Sequence, residues 1–432
     1  MTENRIKNDP SGALWPTRRN LLRGVGVSGG AAMLATLAPV QSASAATEGV
    51  DAPNDDLSRQ SVPFYGAHQA GITTPTPGVG IVAAFDVTAD DRKGLESLFR
   101  KLTARIAFLT TGGPYQRAGD KFPPLDSGIL GPEVMPDNLT VTVAVGNSLF
   151  DQRFGLASVK PQRLQRMKSF PNDALDPDWC HGDLMIQFCA NRPETAIHAL
   201  RDIIKNAPGL LALRWKLDGF LPTIAQKAHE KMTGRNLLGF KDGTGNPDPS
   251  NSEIMKQVVW VGSERGEPAW AVGGCYQVVR IIRHFLERWD RTPLQEQEAI
   301  FGRTRDEGAP ISKEKEFDDP NYPADPEGKL VPLTAHMRLA NPRTPETRPK
   351  LLLRRAFNYS RGITKSGQLD MGLIFICFQA DLEASFLAVQ KRLNGEPLEE
   401  YIKPTGGGYY FVLPGVPSEG NYLGQGMLEA AV

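Results

Sequence analysis

The chain has 432 residues, of which 40% are apolar and 23% charged, with 49 basic and 49 acidic side chains. This composition excludes a disordered or fibrous chain, and the length suits two or three domains. A formal net charge of zero supplies no field toward a polyanion, so no nucleic acid is expected as a partner. The four cysteines, Cys180, Cys189, Cys275 and Cys377, have no CxxC spacing and are too few to staple a chain of this size. Cys189, Cys275 and Cys377 sit in apolar runs and read as buried thiols.

In chain order, the first element is an address. Arg18 and Arg19 precede a Gly- and Ala-rich apolar stretch over residues 24–40, closed by Ala43-Ser44-Ala45. Basic region, apolar region and small-residue cleavage site make a secretory signal, and the arginine pair makes it resemble a twin-arginine one. Residues 1–45 are therefore expected to be removed on export to the periplasm or beyond. The apolar run is too short for stable membrane insertion. Such signals pass folded proteins, which suits a chain loaded with a cofactor before export. Residues 46–60 read as a flexible, polar mature N-terminus.

Two halves of similar pattern follow, expected over 61–235 and 236–432. Residues 79–87 form a β-branched strand. Asp90-Asp91 then precede Leu95, Leu98, Phe99, Leu102, Ile106 and Leu109 at helical spacing. Residues 139–145 and 184–189 read as strands, 193–204 as a helix opened by Pro193, and 210–217 as a strand. The second half repeats the order. It has strand 270–282, helix 292–301, strands 351–359 and 369–378, helix 381–393 with Asp381 as N-cap, and strand 408–413. The order β-α-β-β-α-β, twice, predicts an α+β fold of two ferredoxin-like domains. Residues 302–349 form a Pro- and charge-rich insertion too long for a plain connection.

Three segments carry chemistry. In GFKDGTGNP (239–247), a carboxylate, Asp242, is flanked by glycines that let backbone approach a small ligand. No Lys-Ser or Lys-Thr follows in Walker order, so this is no phosphate loop. In AHMRLANPR (335–343), His336 is the only histidine beyond residue 284, and it lies on the insertion. One histidine is too few for a protein zinc site and suits haem, whose iron takes four ligands from the porphyrin. In LLLRRAFNY (351–359), two arginines follow three leucines. Surface alternation accounts for one of Arg354 and Arg355, so the other faces inward toward an anion or a reacting oxygen.

Together with WDRTPLQEQEAIFGR (289–303) and SGQLDMGLIFICFQADLE (366–383), these segments closely resemble the dye-decolourising peroxidases, and within them the exported class, over roughly residues 60–425. The resemblance implies paired ferredoxin-like domains in a dimeric α+β-barrel type fold, with haem b in the C-terminal domain. It places the proximal iron ligand on His336, the distal acid/base on Asp242 and the distal arginine on Arg354, with Gly243 beside the cofactor. It implies hydrogen peroxide and small-molecule electron donors, such as dyes or phenols, as reactants. An acidic partner for the His336 ring is expected, with Asp381 and Glu383 both open. Two other functions stay open: a deferrochelatase that frees iron and leaves the porphyrin intact, and a haem carrier. A carrier needs neither Asp242 nor Arg354. A homo-oligomer and iron-uptake partners are also left open. Trp179, Trp215, Trp260, Trp270, Trp289, Tyr409 and Tyr410 are weighed as electron relays and read as core.

Overall fold

In the computed structural model, which describes residues 57–115, 119–223 and 233–431, strand β1 (Val79–Val87) is buried on both faces as far as Phe85, hence its apolar run up to Asp86. Helix α1 (Arg92–Thr111) starts where the Asp91 carboxylate accepts from the Gly94 amide. It ends at Gly112, whose φ of 80° suits glycine. Its buried stripe, Leu95 to Leu109, is the one the spacing predicts. Strands β2 (Thr140–Gly146) and β3 (Leu184–Ala190), helix α2 (Pro193–Asn206) and strand β4 (Leu211–Phe220) complete the first half.

The second half has β5 (Cys275–His284), α3 (Leu294–Phe301), α4 (His336–Ala340), β6 (Leu353–Arg354), β7 (Phe357–Ile363) and β8 (Leu369–Gln379). A π-helical turn (Glu383–Leu387) then runs into α5 (Ala388–Leu393), and β9 (Ile402–Val412) follows. The sheet orders are β4-β1-β3-β2 and β9-β5-β8-β7, the same ferredoxin-like order twice. The two sheets join at both edges. β9 pairs with β2 through Tyr410, Phe411 and Val412, and β4 meets β7 through the single pair Phe220 and Asn358. The ring therefore closes. Its inside is packed by Val82, Ala84, Met185, Ile281, Ile376 and their neighbours, while α1 and α2 cover the outer face of the first half. The described residues make one compact unit.

The structure differs from the sequence reading at several points. The strand expected over 270–282 begins at Cys275, because Gly273 at φ 86° ends a single turn over Ala269–Ala271. The strand expected over 351–359 is two pieces, β6 and β7, parted at Arg355-Ala356. That break sends the two arginines different ways. Arg355 is 3% exposed and donates to the backbone oxygens of Thr74 and Pro75 and to Thr76 Oγ1. The helix expected to start after Asp381 does so, with Asp381 Oδ1 accepting from the Glu383 and Ala384 amides, but its first turn is π-helical. Leu57–Arg59 form a 3-10 turn, and Ser58 and Gln60 accept from the amides of Asp137 and Asn138. The described part of the expected flexible N-terminus is thus held. Residues 1–45, with the arginine pair, lie outside the described residues. All four cysteines are buried and free, Cys180 included.

Candidate active site

The loop carrying Asp242 doubles back on itself. The Asn236 amide donates to Phe240 O at 3.0 Å, and the Asp242 amide donates to Gly234 O at 2.8 Å. Gly239 at φ 87° and Gly243 at φ 128° supply the two conformations that a side chain would resist. Phe240 anchors the loop. It is 1% exposed and stacks on Phe301 with ring centroids 4.1 Å apart. Asp242 is left pointing to Arg354, whose Nη1 donates to Asp242 Oδ1 at 2.9 Å.

Arg354 is itself fixed at the backbone. On β6 it pairs with Cys377 of β8, and its amide and carbonyl exchange hydrogen bonds with the Asn246 side chain at 3.0 and 2.8 Å. Asn246 thus ties the Asp242 loop to the arginine strand. The sequence shows Asn246 inside the motif, but its partner lies 108 residues away. Arg354, not Arg355, meets Asp242, and Arg355 is buried against backbone oxygens of the 74–76 segment.

His336 opens the five-residue helix α4 rather than lying on an irregular loop. Its Nδ1 meets the Glu396 carboxylate at 2.8 and 3.0 Å. Burial pushes the His336 pKa down, but the adjacent Glu396 charge and hydrogen bond outweigh it and hold the ring above its ordinary value. Glu396 is 5% exposed and stands just after Gly395, whose φ of 82° turns the chain beyond α5. The acidic partner is therefore neither Asp381, which pairs with Arg163 at 3.0 Å and caps its own helix, nor Glu383. The signal was faint: one Glu after a helix-ending Asn-Gly, 60 residues from its histidine.

Asp242, Gly243, Arg354 and His336 line one cavity. Its floor is the outer face of the second sheet. Alternate residues Arg280, Ile282 and His284 of β5 lie beside Leu373 and Phe375 of β8, in register across the strands. Its opposite wall is α4 with α5. Arg303, Arg343 and Lys350 add positive charge to the lining. Two features deepen the floor. Arg280 and Asp173 form an ion pair in which both side chains are 1% exposed. Burial pushes the His284 pKa down to about 4, and its Nδ1 has no hydrogen-bond partner among the described residues.

Haem fits this set. An apolar floor suits the flat macrocycle, the lining cations suit its two carboxylates, and Glu396 occupies Nδ1 of His336 while leaving Nε2 for iron. The aromatic residues weighed as relays are mostly core. Trp215, Trp260, Trp289, Tyr409 and Tyr410 are buried. Trp179 is partly exposed, but the Arg361 guanidinium lies 4.2 Å from its ring centroid, a charge that disfavours an electron hole there.

The chain has relatives among known proteins. Residues 69–221 match the family described as Dyp-type peroxidase, N-terminal, and residues 233–417 match Dyp-type peroxidase, C-terminal. The chain is 57% identical over 418 residues to a Yersinia pseudotuberculosis protein named deferrochelatase, covering 97% of this chain and 96% of that one. Among solved structures it is similar to a DyP-type peroxidase from Cellulomonas bogoriensis, with a TM-score of 0.78 and 36% identity, covering 86% and 99% of the two chains. It is equally similar to ferric DtpA from Streptomyces lividans, with a TM-score of 0.78 and 35% identity, covering 87% and 99%.

Proposed function

The chain belongs to the Dyp-type peroxidase family and is a haem-dependent peroxidase, and from that premise we propose that Asp242, Arg354 and His336 are the residues that carry its reaction. The observation that carries the assignment is the Asp242–Arg354 ion pair lining the same cavity as a histidine backed by a buried carboxylate. Haem, when bound, supplies an iron that takes up peroxide and passes oxidising equivalents to electron donors.

The chain's own residues do the rest. Asp242 Oδ1 is held by Arg354, which leaves Oδ2 to take a proton from one oxygen of hydrogen peroxide and return it to the other. Arg354, fixed by Asn246, presents a preorganised cation where negative charge grows as the O–O bond breaks. Glu396 holds the Nδ1 proton of His336, orients the ring and raises its basicity toward a metal on Nε2. Arg303, Arg343 and Lys350 would hold the cofactor's carboxylates.

The test is stopped-flow reaction with hydrogen peroxide in wild type, Asp242→Asn and Arg354→Leu, each loaded with haem. The reading requires both variants to be slower than wild type, and unchanged rates in both would reject it. A second reading, a deferrochelatase, is favoured by the name of the 57% identical relative. Metal-free porphyrin fluorescence growing during turnover would support it, and its absence would leave the peroxidase alone. We further propose that residues 1–45 direct export of the folded protein, motivated by Arg18-Arg19 and Ala43-Ser44-Ala45. Replacing Arg18 and Arg19 together by Lys should retain the precursor in the cytoplasm, and normal processing of the double variant would reject the signal.

A further inference from the structure

The insertion over residues 302–349 reaches back to the Asp242 loop through one side chain. Glu316 Oε1 accepts from Thr233 Oγ1 at 2.6 Å and from Thr244 Oγ1 at 2.7 Å, and Oε2 accepts from Lys241 Nζ at 2.8 Å. Thr233 stands on the outgoing leg of the loop, and Lys241 and Thr244 on the returning leg, either side of Asp242. Glu316 is nearly buried, with 10% of its side chain exposed and 14% of that of Lys241. Its own backbone is held as well. Arg303 Nη1 donates to Glu316 O at 2.9 Å and to Gly308 O at 2.6 Å, so the start of the insertion braces the residue that braces the loop.

We propose that Glu316 is a positioning residue for the peroxide reaction: by clamping both legs of the 233–246 loop and neutralising Lys241, it holds the Asp242 carboxylate in place against Arg354. Two physical arguments support this. A carboxylate with three donors, one of them charged, is a stiff joint in a low-dielectric site. Burial pushes the Glu316 pKa up, but the hydrogen bonds from Lys241, Thr233 and Thr244 and the charge of the lysine outweigh it, hold the pKa below its ordinary value and keep Glu316 ionised. Lys241 also lines the cavity, one residue from Asp242. A free ammonium there would compete with Arg354 for the Asp242 carboxylate and lower its power to accept a proton. Glu316 removes that competitor by pairing with it. The insertion is then part of the site's working structure, although Glu316 touches no reacting atom.

The inference rests on the reading of Asp242 as the proton carrier, and the experiment separates the two. Haem-loaded Glu316→Ala and Glu316→Gln are compared with wild type and Asp242→Asn. The measurements are the second-order rate with hydrogen peroxide, the KM for peroxide against kcat, and amide hydrogen exchange over residues 239–246. The expected result for Glu316→Ala is a peroxide rate at least tenfold lower, expressed as a raised KM with little change in kcat. Exchange should rise over 239–246 and stay unchanged in β5. Glu316→Gln, which keeps acceptors for the threonines but loses the charge, should fall between. A peroxide rate within twofold of wild type, or exchange rising alike across the barrel, overturns the clamp. If the alanine variant fails to bind haem, the glutamine variant is judged by the same criteria. Should Asp242→Asn itself react at the wild-type rate, the reading of Asp242 falls and takes the clamp with it. If Asp242→Asn is slow while both Glu316 variants are fast, only the clamp falls.

Discussion

The two halves of the ring share a strand order and differ in what they do with the outer face of the sheet. In the first half, 20-residue α1 and 14-residue α2 lie on that face, and Ile81, Ala83, Phe85, Leu184, Ile186 and Phe188 meet an apolar helical stripe. In the second half, α3 has 8 residues, and the helix that answers to α2 is a π-turn joined to six residues of α5. The first strand there places Arg280, Ile282 and His284 where β1 places apolar side chains. One half fills its face and gains stability. The other withholds its helices and leaves room for a cofactor. π-helical turns are common at functional sites for this reason: they reset which side chains a helix presents, and here Phe386 and Val389 reach the cavity.

The sharpest way to break this comparison is to remove a ligand from one half and a packing residue from the other. His336→Ala should lose most haem on purification while the ring of strands stays folded, read by the Soret band and by far-ultraviolet circular dichroism. Phe99→Ala, in the filled half, should cost about 3–5 kcal/mol of stability and leave the Soret band of the surviving folded protein in place. Chemical denaturation of both variants checks the pair. If Phe99→Ala shifts the Soret band, the halves are not separable in this way.

Arg354→Leu tests chemistry without occupancy. The loss of one preorganised cation should slow the peroxide reaction by about 3–4 kcal/mol, seen in stopped flow at unchanged haem content. His284 sharpens the contrast through pH. Its folded pKa, lowered to about 4, lies below the value near 6.5 of an unfolded histidine. The unfolded chain therefore binds the proton first, and stability is full above pH 6.5 and lost as pH falls toward 4. The loss amounts to about 3 kcal/mol by linkage. Denaturation of the apoprotein at pH 7, 5.5 and 4 should show this slope, and His284→Gln should make it shallower, the remainder coming from His181 and His198, whose pKa values burial also lowers. The smallest expected effect is that of Glu396→Gln, about 10- to 100-fold in iron affinity or activity, read by haem transfer to a competing apoprotein.

Much of this was legible in the sequence because the signals were local. Asp91 before an apolar stripe at spacing three and four, and Pro193 before another, marked α1 and α2 through capping and fixed φ. Asp242, His336 and Arg354 stood in short segments whose residue types are costly unless used. What was not legible depends on long-range contact. Glu396 finds His336 across 60 residues, and Glu316 reaches Lys241 across 75. The break in the strand over 351–359 is set by where Arg354 and Arg355 find their partners, and no propensity marks it. Trp270 and Val272 are apolar and extend the pattern of β5 backward, whereas the glycines at 273 and 274 turn the chain before pairing begins at Cys275.

The closing strand has a consequence for how the molecule is made. β9 pairs with β5 on one side and β2 on the other, and it occupies residues Ile402–Val412, more than 250 residues after β2 in the chain. During synthesis the first half emerges with the edge of β2 unpaired, and it stays so until residues 402–412 have left the ribosome. An unpaired edge is a template for association with other chains, and pairings so distant in sequence form slowly. A ribosome stalled before residue 402 would release a chain with an open edge beside β2 and, through β5, an unfinished floor to the cofactor cavity. The last strand thus acts as a clasp that completes the shell and the cofactor seat in the same step.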